Sequence, residues 1–476
     1  MLNRRFSVTS FFLAPALLVV LACLSVWLLT QTPSNAESPP NSELPATDLM
    51  VVHEWGTFTE LQNEAGVSLT GINTDDEPVP HFVHGFGNRV LSPTVFPEQF
   101  FGKRLPYRHW QVATRLETPV IYFYPPDGAE LPVKLNVEVG LREGWLSEYY
   151  PQATVEAPGL NELSIRDNEY SRLIWENLLV GTEGRYPETQ DPVWLNPRST
   201  QSAGVTNAAG ESEKYLFYRG VGKFSGPLRI QLDRELGQLS FATVESTLPE
   251  SPDARTAWLV DVQRDGSVAF RRIHQNQSGT VDGVTTGYRF TEEEFSQDNL
   301  QLLKDQMHEA LVADGLFVDE ASAMLATWNN AYFRSPGLRV FYLVPRDWTD
   351  DQMPLSISVP THVERVMVGR IELISDENHE LLQQIRSTPA SSREWLSQIT
   401  NEEAGNRMFA GHSDFGDLGV EIPEDYQRYL DLGRFRNAML RAEFIARPDE
   451  NLQKFLTQYG LNPPSIYSFG SSDTDE

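Results

Sequence analysis

The chain has 476 residues and carries 66 acidic against 38 basic side chains, a formal charge of −28. That balance speaks against nucleic acid and anionic membrane surfaces as partners, because both are held by a basic footprint. Its one cysteine, Cys23, falls in an apolar leader, which leaves the body without a disulfide, a cysteine-ligated zinc, an iron–sulfur cluster or a thiol nucleophile.

Residues 1–5 carry two arginines, Arg4 and Arg5. Residues 11–29 are apolar apart from interruptions such as Pro15 and Ser25. Ser34-Asn35-Ala36 then places small residues at −3 and −1 of a cut before Glu37. This pattern predicts a signal peptide over 1–36. The apolar run is also close to the ~20 residues of a spanning helix, so an N-terminal membrane anchor is the alternative. Positive charge ahead of the run puts the body outside the cytoplasm in either case. Val20-Leu21-Ala22-Cys23 loosely resembles a lipoprotein box, but the apolar run continues to Leu29. The Pro-, Ser- and Asn-rich stretch that follows, through 37–49, reads as a flexible tether.

The body opens on M-V-V-H-E-W-G-T-F-T, a predicted strand over 50–59. Residues 67–72 are expected to return as its hairpin partner, and 73–87 read as a loop. A buried strand over 118–124 and a half-exposed one over 134–139 are expected to pair through a turn at 127–130. Residues 140–151 place the aromatics of W-L-S-E-Y-Y-P in a turn context. Residues 164–194 have no clear period, and 201–210 read as an exposed loop. Strands follow at 214–219, 227–232, 239–246, 256–262 and 268–273, a spacing that suggests an antiparallel, sandwich-like unit.

At Thr291 the period becomes helical. A Thr291–Glu294 capping box opens a helix that runs towards Gly315, and a second is expected over 319–333. Strands over 338–344, 355–359 and 363–374 precede helices over 381–385, 395–399, 426–444 and 451–459. The expected fold class is therefore α+β: an antiparallel, sandwich-like β-rich domain over 50–290, a mixed α/β segment over 291–374 continuing it, a helical region over 375–470, and a disordered acidic tail over 471–476.

Familiar catalytic signatures are absent. His53-Glu54 starts like a zinc-protease helix, but Thr57 stands where the second histidine is needed and the run is strand-like. What remains is a concentration: four of the nine histidines, His53, His81, His84 and His109, lie ahead of Thr118. His53, His81 and His84, with Asp75 and Asp76, form a candidate ligand set for a divalent metal, since imidazole and carboxylate suit Zn²⁺, Mn²⁺ or Fe²⁺. The same groups suit metal-free general acid–base chemistry, and they also suit local hydrogen bonding at loop–strand junctions. Strand alternation puts His53 and Glu54 on opposite faces. His53 is expected to face the His81/His84 loop. Glu54 would then share a face with Val52, Gly56 and Phe58 and need a buried partner such as Arg104 or Arg108. Trp145, Tyr149 and Tyr150, with Glu143 and Glu148, offer either a sugar-stacking platform or a packed end of the β unit.

The run His53-Glu54-Trp55-Gly56-Thr57-Phe58-Thr59 stands with Glu117-Thr118-Pro119-Val120-Ile121-Tyr122-Phe123-Tyr124, Phe217-Tyr218-Arg219-Gly220 and Val366-Met367-Val368-Gly369-Arg370. In these segments the chain resembles a group of uncharacterised secreted bacterial proteins, over roughly 51–374. The resemblance implies export and carries no activity, cofactor or site residue. The expected role is binding of an envelope or extracellular component, a protein or a glycan. The alternatives are a metal-assisted or acid–base hydrolase using the His/Asp/Glu cluster, and a structural subunit of an envelope assembly.

Overall fold

The run Met50–Gln62 forms one 13-residue strand, β1, buried along its whole length. In the computed structural model, which describes residues 49–73, 79–86, 101–102, 105–106, 109–244, 254–329, 332–392, 395, 422–459 and 461, β1 lies at the middle of a ten-stranded sheet. A strand buried on both faces belongs there. On one side β1 pairs with β21 (Thr361–Leu373) over its full length, Met50 opposite Thr361 and Gln62 opposite Leu373. On the other it pairs with β5 (Thr114–Leu116) and β6 (Val120–Tyr124). Beyond β21 come β19 (Gly337–Leu343), β16 (Ala257–Val262) and β17 (Val268–Arg272). Beyond β5 and β6 come β13 (Leu216–Gly222), β8 (Gly144–Tyr150) and the two-residue edge β2 (His84–Gly85).

A second sheet has six strands: β12 (Ser212–Glu213), β11 (Val205–Thr206), β10 (Tyr170–Val180), β7 (Val133–Arg142) and β20 (Leu355–Ile357), with β9 (Thr154–Glu156) also on β10. A three-stranded sheet joins β14 (Leu228–Asp233), β15 (Gln238–Thr243) and β18 (Thr285–Gly287), and a small ladder pairs β3 (Phe101–Gly102) with β4 (Leu105–Pro106).

The two faces of β1 feed different cores. Val52 and Phe58 join Leu135, Val137 and Val139 of β7 and Leu173 and Trp175 of β10 in one cluster, which binds the two larger sheets together. Val51 and Trp55 point the other way, into a cluster with Leu303 and Met307 of the helix Asn299–Ala313 and Met324 of the helix Val318–Thr327. Leu61 joins a third cluster with the C-terminal helices Asp376–Ser387, Glu424–Asp431, Arg436–Ala446 and Glu450–Gln458. The protein is α+β, with strands before Gly287 and helices dominating after Asp376.

Several expectations are corrected. The sheet is mixed, because β1 and β21 run parallel. A parallel pair requires a crossover connection, and local pattern says nothing about a partner some 300 residues away. The hairpin expected at 127–130 does not form: β6 sits in the large sheet and β7 in the second. All five β6 residues are buried, whereas β7 alternates, so the two strands need different surroundings. Residues 67–72 do return against the end of β1, but through one antiparallel bridge, Gln62 to Ser68, and the bonds Leu69 N–H to Leu61 O and Asn63 N–H to Val67 O, without forming a strand. The stretch read as a turn around Trp145 is the buried strand β8. The Thr291 capping box closes a 3₁₀ turn, Glu292–Glu294, and the α-helix starts at Asn299. The helix expected over 426–444 is two helices, parted near Gly433, whose φ is +80°. The leader 1–36, nearly all of the tether 37–49, the 395–399 segment beyond Trp395 and the tail 471–476 lie outside the described residues. Among the described residues no helix is long and apolar enough to cross a membrane.

Candidate functional site

Alternation along β1 does separate His53 from Glu54, and the fold employs both. His53 faces the helices. Its Nδ1 lies 2.7 Å from Glu320 Oε2, and its ring packs 4.3 Å from that of Phe317. Tyr124 donates to the other Glu320 oxygen at 2.7 Å, and the Phe317 N–H reaches Oε2 at 2.9 Å. Glu320, fully buried in the first turn of the helix Val318–Thr327, is thus enclosed by three donors. Glu54 points into the inter-sheet core. The Tyr218 hydroxyl donates to its Oε1 at 2.5 Å, and Arg365 Nε bonds its Oε2. Burial, then the Glu54 charge, pushes the Tyr218 phenol well above its ordinary range, so it remains a donor. The buried cation is therefore Arg365, directly across from Glu54 on the parallel strand. Arg104 and Arg108 lie outside the described residues.

The candidate metal set is dispersed as far as it is described. His53 is held by Glu320. His84 is held by Glu211, with Nε2 2.8 Å from Oε1. His81 is exposed and meets the edge of Phe82. His109 is buried, with Nε2 3.0 Å from the Leu163 carbonyl, and burial lowers its pKa. Asp75 and Asp76 lie outside the described residues. Among the described residues no three His, Cys, Asp or Glu side chains form a group that fits a metal ion.

The aromatic platform is also corrected. Trp145, Tyr149 and Tyr150 are at most 5% exposed, because β8 is an inner strand flanked by β13 and β2. Trp145 Nε1 donates to the Pro158 carbonyl at 2.8 Å. Glu148 lies beside Arg219, 3.8 Å away, and Glu143 accepts from the Asn168 N–H at 3.1 Å. These groups hold the strand in place, and of the three aromatics only Tyr149 reaches the cleft lining among the described residues.

Through Tyr149, β8 contributes to one wall of a cleft of about 840 Å³ between the two larger sheets, together with His84 and Gly85 of β2, Gln152 and Asn207. His84 on the edge strand β2 sits opposite Tyr149, and its ring lies nearly parallel to Tyr150, 9° between planes at 5.8 Å. Glu211, behind His84, also accepts the Gln152 N–H at 2.6 Å and Asn207 Nδ2 at 3.0 Å. Asn207 Oδ1 in turn takes the backbone N–H groups of Ala209 and Glu211, each at 3.0 Å. Gln152 Nε2 reaches the Ala153 carbonyl at 3.0 Å.

The opposite wall comes from β10. Its pairing with β7 slips between Trp175 and Leu178, and Asn177 takes a left-handed φ of 56°. Asn136 Oδ1 holds the Asn177 N–H at 2.8 Å. A bulge of this kind re-aims side chains, and here Glu176 and Asn177 are both exposed and line the cleft.

The lining divides by use. His84, Gln152 and Asn207 are tied into the scaffold. Thr154, Asn161, Glu176 and Asn177 make no side-chain hydrogen bond among the described residues. No lysine or arginine lines the cleft. Sequence reasoning found His84 and Tyr149 for other reasons and missed Asn161, Glu176 and Asn177. The only trace was the break in alternation at Trp175-Glu176-Asn177.

No family model matches the chain, and no curated protein matches it.

Proposed function

We propose that the chain is an exported protein that binds an envelope or extracellular component in the cleft between β8 and β10. The observation that carries this reading is the division of the lining. A hydrogen-bonded network around Glu211 fixes His84, Gln152 and Asn207, and Thr154, Asn161, Glu176 and Asn177 line the same cavity without side-chain partners among the described residues. Preorganisation of that kind reduces the entropy lost on binding. Export is supported by Arg4 and Arg5, the apolar run 11–29 and Ser34-Asn35-Ala36, with an N-terminal membrane tether as the uncleaved form. The resemblance over residues 51–374 points the same way. The shared core between the two larger sheets supports a sandwich-like description of the β body. The acidic balance speaks against nucleic acid as the partner.

The test is retention of the purified protein by isolated cell envelope in a sedimentation assay. Glu176→Ala combined with Asn161→Ala is expected to lower retention about tenfold, some 1.4 kcal/mol, without moving the melting temperature. Undiminished retention would sink the proposal.

A second reading, acid–base hydrolysis, rests on His84. A carboxylate 2.8 Å from one ring nitrogen orients the imidazole, and Nδ1 has no partner among the described residues. On this reading that nitrogen would take the proton of the attacking water. On this reading His84→Ala abolishes product release while cleft binding persists. Stoichiometric zinc or manganese in the purified protein, lost in His84→Ala, would make the hydrolase metal-assisted instead.

A further inference from the structure

We infer that the cleft takes a neutral oligosaccharide segment; this rests on the cleft being the binding site. Charge narrows the ligand first. The lining has no lysine or arginine and presents the Glu176 carboxylate, on a chain of net charge −28. A phosphate, sulfate or uronate would find no counter-charge there and would meet repulsion.

Chemistry narrows it further. Asn161 and Asn177 each present an amide, which offers a donor pair and an acceptor side by side. Thr154 adds a hydroxyl, and Glu176 adds a strong acceptor. A sugar hydroxyl is both donor and acceptor, so neighbouring hydroxyls on a ring match an amide or a carboxylate through paired bonds. The other lining atoms include the small apolar side chains of Ala153, Ala157 and Leu160, which suit the C–H face of a pyranose. An extended peptide would instead be read through main-chain groups of a strand edge; the edge strands β2 and β9 border the cleft, and a peptide probe tests that alternative against the four side chains. The volume, about 840 Å³, falls in the range of about 300–1,000 Å³ that encloses a ligand the size of roughly two or three linked rings.

The experiment is isothermal titration of the whole exported protein with neutral oligosaccharides of increasing length, with polygalacturonate and hyaluronan as anionic probes, and with an unrelated extended peptide. Asn161→Ala, Glu176→Gln and Thr154→Val change exposed side chains, and each is checked by its melting curve. The expected result is a neutral oligosaccharide whose affinity rises up to about three units and falls about tenfold in each variant. Cleft-dependent binding of the uronate polymers or the peptide would overturn the sugar inference and leave the cleft reading standing. So would envelope retention that depends on Glu176 while no neutral oligosaccharide binds. Neutral sugar binding indifferent to all three variants would overturn the inference. Absence of ligand binding together with envelope retention indifferent to Glu176 and Asn161 would overturn both.

Discussion

Glu60, near the end of β1, is fully buried between the sheets. It accepts from Ser68 Oγ at 2.5 Å and from the Gly226 N–H at 2.6 Å. Burial outweighs these bonds and pushes its carboxyl up to about 7. The sign follows from linkage. Between about pH 4.5 and 7 the unfolded chain releases this proton while the native chain keeps it, so stability falls as pH rises and levels off above 7. The span amounts to about 3 kcal/mol. Glu60→Gln keeps the neutral form at every pH; urea titrations from pH 4.5 to 8 are expected to lose that slope, with the variant the more stable protein at pH 8. Glu54 is the opposite case, a buried acid that keeps a cation. Arg365→Met leaves Glu54 without that cation inside the core and is expected to cost about 3–5 kcal/mol; Glu54→Gln added to it should recover much of the loss. Both effects are read from denaturation midpoints. That Glu54 needed a buried cation was legible in the alternation of V-H-E-W-G-T-F. Which arginine supplies it was not, because Arg365 arrives by a pairing more than 300 residues away in sequence.

At the scale of elements, long strands were the legible part. β1, β13, β14, β16, β19 and β21 fall within a few residues of their expected positions, since β-branched and aromatic runs bounded by turn residues favour strand almost regardless of surroundings. Pairing was the illegible part. β1 accepts Pro119 against its Gly56, where an added Cβ would lie 2.8 Å from Pro119 Cα. Gly56→Ala must push that backbone away, and the expected loss is about 1–3 kcal/mol in a thermal or urea melt. The bulge in β10 belongs to the same class. Asn177 in a left-handed conformation is a local feature with a distant purpose, because it matters only once β2, β8 and residues 207–211 have arrived on the other side of the cleft. Asn177→Val places a β-branched side chain at a positive φ and is expected to destabilise the protein and to weaken ligand binding, whereas Asn177→Gly should preserve the fold and lose only the amide's share of affinity.

For the whole molecule, the chain divides into two units at residue 46, 1–45 and 46–476. A chain starting there is expected to unfold with the same midpoint as one carrying residues 1–45, measured by circular dichroism. A large drop would mean that the leader contributes to the fold. The class, α+β with helices towards the C-terminus, was determined by sequence, because hydrophobic period is a local property: two for strands and 3.6 for helices. The absence of a second histidine after His53-Glu54 and the acidic balance were equally plain. The tertiary structure alone decided that His53 and Glu54 close separate buried networks, that the aromatics of β8 are buried and form no open platform, and that Asn161, Glu176 and Asn177 share a cleft with His84. These are contacts between residues far apart in the chain. Their energies depend on which surfaces the fold removes from water, and no local pattern encodes that.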